Sequence, residues 1–247
     1  MKLSIATMIS AKNLFLDLLF PVHCLICQKK SDFQENYLCP QCFAKIKFKA
    51  NQECAFCSAH TINGQTCPFC RASHHLDFLW AAADYREPIV KRTLWAYKYR
   101  FIKSLAGPLS ELLRSFLRRK KLDKFLETYR QQILVIPTPL HYRRLNWRSY
   151  NQSELLAENL AAKFHLKMGK DILIRIKHKV PQAELEDKTK RQENTKNIFS
   201  CLKREEIKDK IIILVDDIAT TGSTLEEAAK VLKQSGAQKV IGLVVAK

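Results

Sequence analysis

Residues 211–224 read IIILVDDIATTGST. The five apolar residues at 211–215 have the length and unbroken hydrophobicity of a strand buried on both faces. Two adjacent carboxylates, Asp216 and Asp217, follow, then a short run of small and hydroxylated residues. Leu225, Ala228, Ala229 and Leu232 come next at helical spacing, Gly236 suits a helix stop, and residues 240–245 predict another strand. This is a βαβ unit, whose strands must be parallel and whose crossover must be right-handed.

Working back towards the N-terminus, FLWAAAD at 78–84 predicts a short buried strand. Pro88 stands where a first-turn proline opens a helix carrying Ile89, Val90, Leu94, Trp95 and Tyr97. Residues 109–117 predict a second helix, followed by the basic run Arg118, Arg119, Lys120 and Lys121. A strand at 133–136 is stopped by Pro137 and Pro139, and a helix at 154–164 has Asn151 and Glu154 at capping-box-like spacing. Residues 172–176 predict a further strand. Residues 177–196 are polar and charged without an apolar period and predict a long loop. Strands alternating with helices give an α/β fold with a mostly parallel sheet.

Ligands of open α/β sheets bind beyond the carboxyl ends of the strands, where residues 216–224 fall. A helix N-terminus offers unpaired N–H groups and the positive end of its dipole. Ala219, Gly222 and Ser223 have little bulk, so backbone can close round a phosphate, and Thr220, Thr221, Ser223 and Thr224 add hydroxyl donors. Asp216 and Asp217 would repel that phosphate and are better matched to neighbouring hydroxyls or a divalent cation. A ribose 5′-phosphate satisfies both halves. The plainer alternative is an ordinary helix cap, with Ser223 and Glu226 as a capping box; it leaves the acid pair and the threonine pair unexplained.

Eight of the nine cysteines form four CxxC pairs: Cys24 and Cys27, Cys39 and Cys42, Cys54 and Cys57, Cys67 and Cys70. Two pairs make a tetrahedral S4 site, which zinc prefers, so the set predicts one or two structural Zn2+ ions. Sequential and interleaved pairing are both open, as is loss of metal from one quartet. Disulfides or an iron–sulfur cluster are the competing uses of the same residues. His23, His60, His74 and His75 lie nearby and are read as non-ligands. Cys201 stands alone and is read as a buried or half-buried apolar filler.

Lys and Arg number 42 against 24 Asp and Glu, a net charge of +18 that favours anionic partners. No apolar run is long enough to span a bilayer. Leu14, Phe15, Leu18 and Leu19 suit an amphipathic helix, interrupted by Lys12, Asn13 and Asp17 in a way a signal peptide would not be. The expected location is cytoplasmic, with peripheral contact at the inner face of the membrane as the lesser alternative.

The segment at 214–224 resembles the phosphoribosyl-pyrophosphate signature of type I phosphoribosyltransferases: an apolar strand, two acids, then a Thr-Thr-Gly-Ser/Thr loop. The whole chain is similar to the ComF (ComFC) family of competence proteins, with an N-terminal helix ending in Phe-Pro, paired cysteines and then this domain. The supporting segments are LFPVHCLIC at 19–27, YKYR at 97–100, IPTPLHYRRLNWRSYNQSELLA at 136–157 and RQENTKNIF at 191–199. The resemblance implies that the segment after the Pro-x-Pro strand corresponds to the pyrophosphate-binding region, where Arg143, Arg144 and Arg148 offer guanidinium groups suited to phosphate. Gln182, Arg191 and Asn194 resemble family positions in the long loop, which would act as a lid.

These expectations divide the chain into an N-terminal amphipathic helix (1–20), a cysteine-rich zinc-binding module (21–75) and a type I phosphoribosyltransferase-like domain (76–247). Three functions compete. The first is an accessory protein of natural transformation that binds phosphoribosyl pyrophosphate or ribose 5-phosphate. It would also contact single-stranded DNA through Trp95, Tyr97, Tyr99, Phe101 and Trp147, and competence-machinery proteins. The plainer alternative puts those aromatics in the core. The second is an active phosphoribosyltransferase using Mg2+ on the phosphates; no residue names its acceptor, and no catalytic residue is assigned. The third is a sensor of the nucleotide precursor that does no chemistry.

Overall fold

The computed structural model describes residues 22–30, 37–176 and 198–247. The helix expected over residues 1–20 and the loop expected over 177–196, with Gln182, Arg191 and Asn194, lie outside the described residues. The centre of the molecule is a five-stranded, fully parallel sheet in the order β1 (Phe78–Ala83), β7 (Lys239–Ala246), β6 (Ile211–Ile218), β2 (Ile133–Pro137) and β3 (Lys167–Met168). Ile213 pairs with Val135 on one side and Ile241 on the other, so β6 is fully interior. That position explains its unbroken apolar run.

Alternation along the strands splits the core into two faces. Trp80, Val135, Ile213 and Leu243 pack on one face against helices α3 (Pro88–Tyr99), α4 (Ala106–Arg119), α5 (Leu122–Thr128) and α7 (Gln152–Phe164). Leu79, Leu134, Ile212 and Leu214 pack on the other against α8 (Arg204–Ile207) and α9 (Ser223–Gln234). Each helix follows from an apolar stripe: Leu109, Leu112, Leu113, Phe116 and Leu117 of α4 are all buried. Asn151 caps α7 by accepting a hydrogen bond from the Ser153 N–H.

The strand expected at 172–176 exists as β4 (Leu173–Arg175), but it stands outside the main sheet, in an antiparallel ribbon with β5 (Phe199–Cys201). The segment at 142–148, to which the apolar pattern assigned no element, is the helix α6 (Tyr142–Arg148), capped by the His141 side chain. The Ser223–Glu226 capping box is not formed. Gly222 is the cap residue, with no side-chain cap bond, and Glu226 is spent elsewhere.

The cysteine-rich segment wraps the two core faces. It contains two short helices of like design, α1 (Pro40–Ala44) and α2 (Pro68–Arg71), each opened by proline and capped by a cysteine sulfur, Cys39 or Cys67. Gln52 lies against the edge strand: its side-chain amide donates to the Ala81 carbonyl and accepts from the Ala81 N–H, both at 3.1 Å. An edge that would otherwise offer free backbone groups is thereby covered.

Candidate functional site

The chain leaves β2 towards β3 on one side of the sheet and leaves β6 towards β7 on the other. The intervening helices α7 and α9 take opposite faces. The carboxyl ends of β2 and β6 therefore border a crevice at a topological switch point, the place where open α/β sheets take ligands. A cavity of about 420 Å³ lies there.

One wall is the end of β6 and the start of α9. Asp216, Asp217, Ala219, Thr220, Thr221, Gly222, Ser223 and Thr224 all line the cavity. Gly222 has φ +73°, which glycine adopts without strain, and it turns the chain into the helix. Thr220 and Thr221 are exposed and Ser223 and Thr224 half-buried, so their hydroxyls face an open space. The hydroxyls of Thr221 and Ser223 touch each other. The Ala219 N–H is committed to the Ala246 carbonyl at 3.0 Å, so Ala219 brings little bulk and no free N–H to this wall.

The two carboxylates are not equivalent. Both stand at the carboxyl end of β6 and line the same cavity, but they are held by different partners. Asp216 accepts from the Ser153 hydroxyl at 2.8 Å and from the Asp217 N–H at 2.9 Å. Burial, and then the neighbouring Asp217 charge, push its pKa up to about 7. Asp217 is 5% exposed and meets the Lys98 ammonium at 2.9 Å. Burial works against the Lys98 charge, but Asp217 and Asp216 outweigh it, and its pKa is raised.

The opposite wall is basic. Arg144 and Arg148 of α6 line the cavity; Arg143 does not, and instead donates from Nε to the Tyr142 hydroxyl at 3.3 Å. Arg175 of β4 joins them, and cations outnumber carboxylates four to two around the space. Desolvation, then repulsion from Arg144, lowers the Arg175 pKa to about 10; Arg148 is lowered by the same two causes in the same order. Arginines crowded in this way are relieved by an anion. The buried Thr138 hydroxyl and Arg148 Nε also border the cavity without a protein hydrogen-bond partner. The sequence reading missed Thr138, Ser153 and Arg175. Ser153 and Thr138 lie within the stretch quoted for the family resemblance, but nothing in the residue pattern marked Arg175.

The aromatics divide. Tyr97 is wholly buried and donates from its hydroxyl to the Gln152 carbonyl, so its expected role in stacking is corrected: it belongs to the core. Trp95, Tyr99, Phe101 and Trp147 are exposed and form a strip running from the cavity rim. The rings of Trp95 and Tyr99 lie 6.0 Å apart and those of Phe101 and Trp147 5.0 Å apart. The Arg148 guanidinium joins the two pairs, 5.6 Å from both Tyr99 and Trp147.

The cysteines gather sequentially, Cys24, Cys27, Cys39 and Cys42 in one group and Cys54, Cys57, Cys67 and Cys70 in another, with no histidine in either. Sulfur separations of 3.7 Å for Cys27 and Cys39 and 3.6 Å for Cys57 and Cys67 match the edge, about 3.8 Å, of an S4 tetrahedron with zinc–sulfur bonds of about 2.3 Å. All nine cysteines are free of disulfides. Burial opposes ionisation of Cys24 and Cys54, but backbone N–H donors outweigh it and lower both to about 6. Both quartets are closed structural zinc sites.

Known families match both parts of the chain. A "Phosphoribosyl transferase domain" covers residues 151–247 and a "Double zinc ribbon domain" residues 15–71. "Competence protein F" of Haemophilus influenzae is 30% identical over 227 residues, which is 90% of this chain and 95% of that one. The chain belongs to the ComF family of competence proteins. Other relatives of this ComF chain include "DNA utilization protein YhgH" of Escherichia coli, 30% identical over 208 residues (76% of this chain, 86% of that one). "Competence protein ComFC" of Bacillus subtilis is 25% identical over 209 residues (81% and 79%). The ComF chain thus joins a type I phosphoribosyltransferase-like domain, built on a parallel sheet, to a double zinc ribbon. No helix among its described residues is long and apolar enough to cross a membrane.

Proposed function

We propose that this ComF protein binds phosphoribosyl pyrophosphate with Mg2+, and acts in the handling of single-stranded DNA during natural transformation. The carrying observation is one cavity that joins a glycine-turned helix N-terminus, an acid pair and an arginine wall. The 5-phosphate lies on residues 219–224, where N–H groups and hydroxyls converge. Asp216, with Ser153 behind it, takes the ribose hydroxyls. Arg144, Arg148 and Arg175 take the pyrophosphate, joined by Mg2+ that offsets its charge. DNA follows the exposed strip of Trp95, Tyr99, Phe101 and Trp147, where bases stack between guanidinium groups. Residues 76–247 are then the ligand domain and 21–75 the zinc module, working in the cytoplasm beside the competence machinery.

Calorimetry of the full chain with phosphoribosyl pyrophosphate, with and without Mg2+, tests the cavity. The Asp216→Ala/Asp217→Ala double variant should lose binding and keep its zinc. Retained binding in that variant removes the acid pair from the site. Pyrophosphate release with candidate acceptors reads turnover separately from binding.

A further inference from the structure

The two zinc quartets are placed differently. Cys24 and Cys42 of the first belong to the core face shared with α3 and α4, away from the helix α9. The second backs directly onto the phosphate loop. Ala55, between the ligands Cys54 and Cys57, is 4% exposed and packs in the α9 face of the core. A Cβ built on Gly222 would meet the Ala55 Cβ and carbonyl oxygen at 3.7 Å and the Phe56 ring at 3.9 Å. The metal knuckle is therefore the floor under the turn.

A second tie leaves the other end of the same quartet. Just beyond Cys70, the N–H groups of His75 and Leu76 and the His75 ring all meet the carboxylate of Glu226, at 2.9–3.0 Å. Glu226 stands in the first turn of α9. His74, one residue earlier, stacks on Phe56 with ring centroids 3.6 Å apart, closing the circuit back to the knuckle. The loop is thus gripped on both sides of Gly222, by Ala55 and Phe56 below it and by His75 and Leu76 beyond it.

We infer that zinc in the second quartet and a sugar phosphate in the cavity bind cooperatively, with Ala55 and Glu226 as the positioning residues, while zinc in the first quartet is uncoupled. The inference rests on the phosphate site proposed above. Without metal, the knuckle loses the constraint that holds Ala55 under Gly222, and the loop must be ordered at the ligand's expense. By linkage, ligand must raise the zinc affinity of the second quartet by the same factor.

Calorimetry of the full chain with phosphoribosyl pyrophosphate and Mg2+, alongside zinc content, tests it. Cys27 and Cys57 are the exposed sulfurs of their quartets, so Cys27→Ser and Cys57→Ser are matched lesions. Cys57→Ser should weaken binding by about tenfold or more, and Cys27→Ser by less than about threefold. Glu226→Gln should keep both zinc ions and still weaken binding by about threefold to tenfold. In the unaltered chain, ligand should protect one zinc of two from a chromophoric chelator. Equal losses in the two cysteine variants, or full affinity in Cys57→Ser, overturn the coupling and leave the phosphate site standing. If Cys57→Ser does not fold, Glu226→Gln and the chelator competition decide, and no effect in both overturns it. No binding by the unaltered chain removes the phosphate site, and this inference with it.

Discussion

The Lys98 ammonium at the end of α3 stands 2.9 Å from the Asp217 carboxylate at the end of β6, linking a helix on one core face to the floor of the cavity. Asp217 is buried, so this is its local counter-charge and not a surface pair. Lys98→Met removes the cation in direct contact with that carboxylate and should destabilise the fold by about 3 kcal/mol. Lys98→Met with Asp217→Leu should recover most of the loss. Urea unfolding of the single and double variants measures both, and a Lys98→Met protein as stable as the parent contradicts the pairing.

Asp216 predicts a pH dependence. Its carboxyl is raised to about 7 in the folded chain against 3.8 unfolded, so the folded state holds the extra proton between those values. Stability from this group is present at low pH and is lost as pH rises through about 7. Asp216→Asn should therefore stabilise the unliganded protein at pH 8, on the order of 2 kcal/mol, with no gain at pH 4. Ligand affinity should run the other way, since the ionised form is the better acceptor for ribose hydroxyls. Thermal unfolding and calorimetry across pH 5 to 8 separate the two trends, about the range in which Asp216 titrates.

The aromatic strip and the buried tyrosine should separate cleanly. Trp95→Ala, Tyr99→Ala or Trp147→Ala should each weaken single-stranded DNA by about 1–3 kcal/mol with little change in stability. Tyr97→Ala should instead cost about 3–5 kcal/mol of stability by opening the core. Binding that ignores salt would count against contacts to the DNA phosphates.

Gly222→Ala probes the turn alone. The space beside it is ordinary van der Waals distance, so the penalty comes from φ +73°, about 1 kcal/mol for an alanine. Ligand affinity should fall further than stability does, because the strain is relieved by moving the loop. Titration calorimetry and melting on the same sample give the comparison.

Much of this was legible in the sequence because periodicity and sterics speak locally. The apolar run at 211–215 marked a central strand, the residues after it a glycine turn into a helix, and the four CxxC pairs two sulfur quartets suited to zinc. The pairing of Lys98 with Asp217 was not legible, since 119 residues separate them and only tertiary packing brings them together. Arg175 was hidden for the same reason: its strand left the main sheet for a ribbon at the cavity edge. Tyr97 and Tyr99 show the local limit. Both sit in YKYR, yet two residues turn a helix by about 200°, so one is core and the other surface. Glu226 looked like a capping-box acid, but distant N–H donors of His75 and Leu76 outcompeted the local partner.

The strand order has a consequence for synthesis. β1 is the first strand of the main sheet to leave the ribosome, and β7, the last of the five, is the only one that joins it to the others. Until β7 emerges, β1 has no lateral neighbour in the sheet and the growing chain has an unfilled slot beside β6. Translation therefore delivers the closing piece last, and a nascent chain stalled before it would present two raw edges to quality control.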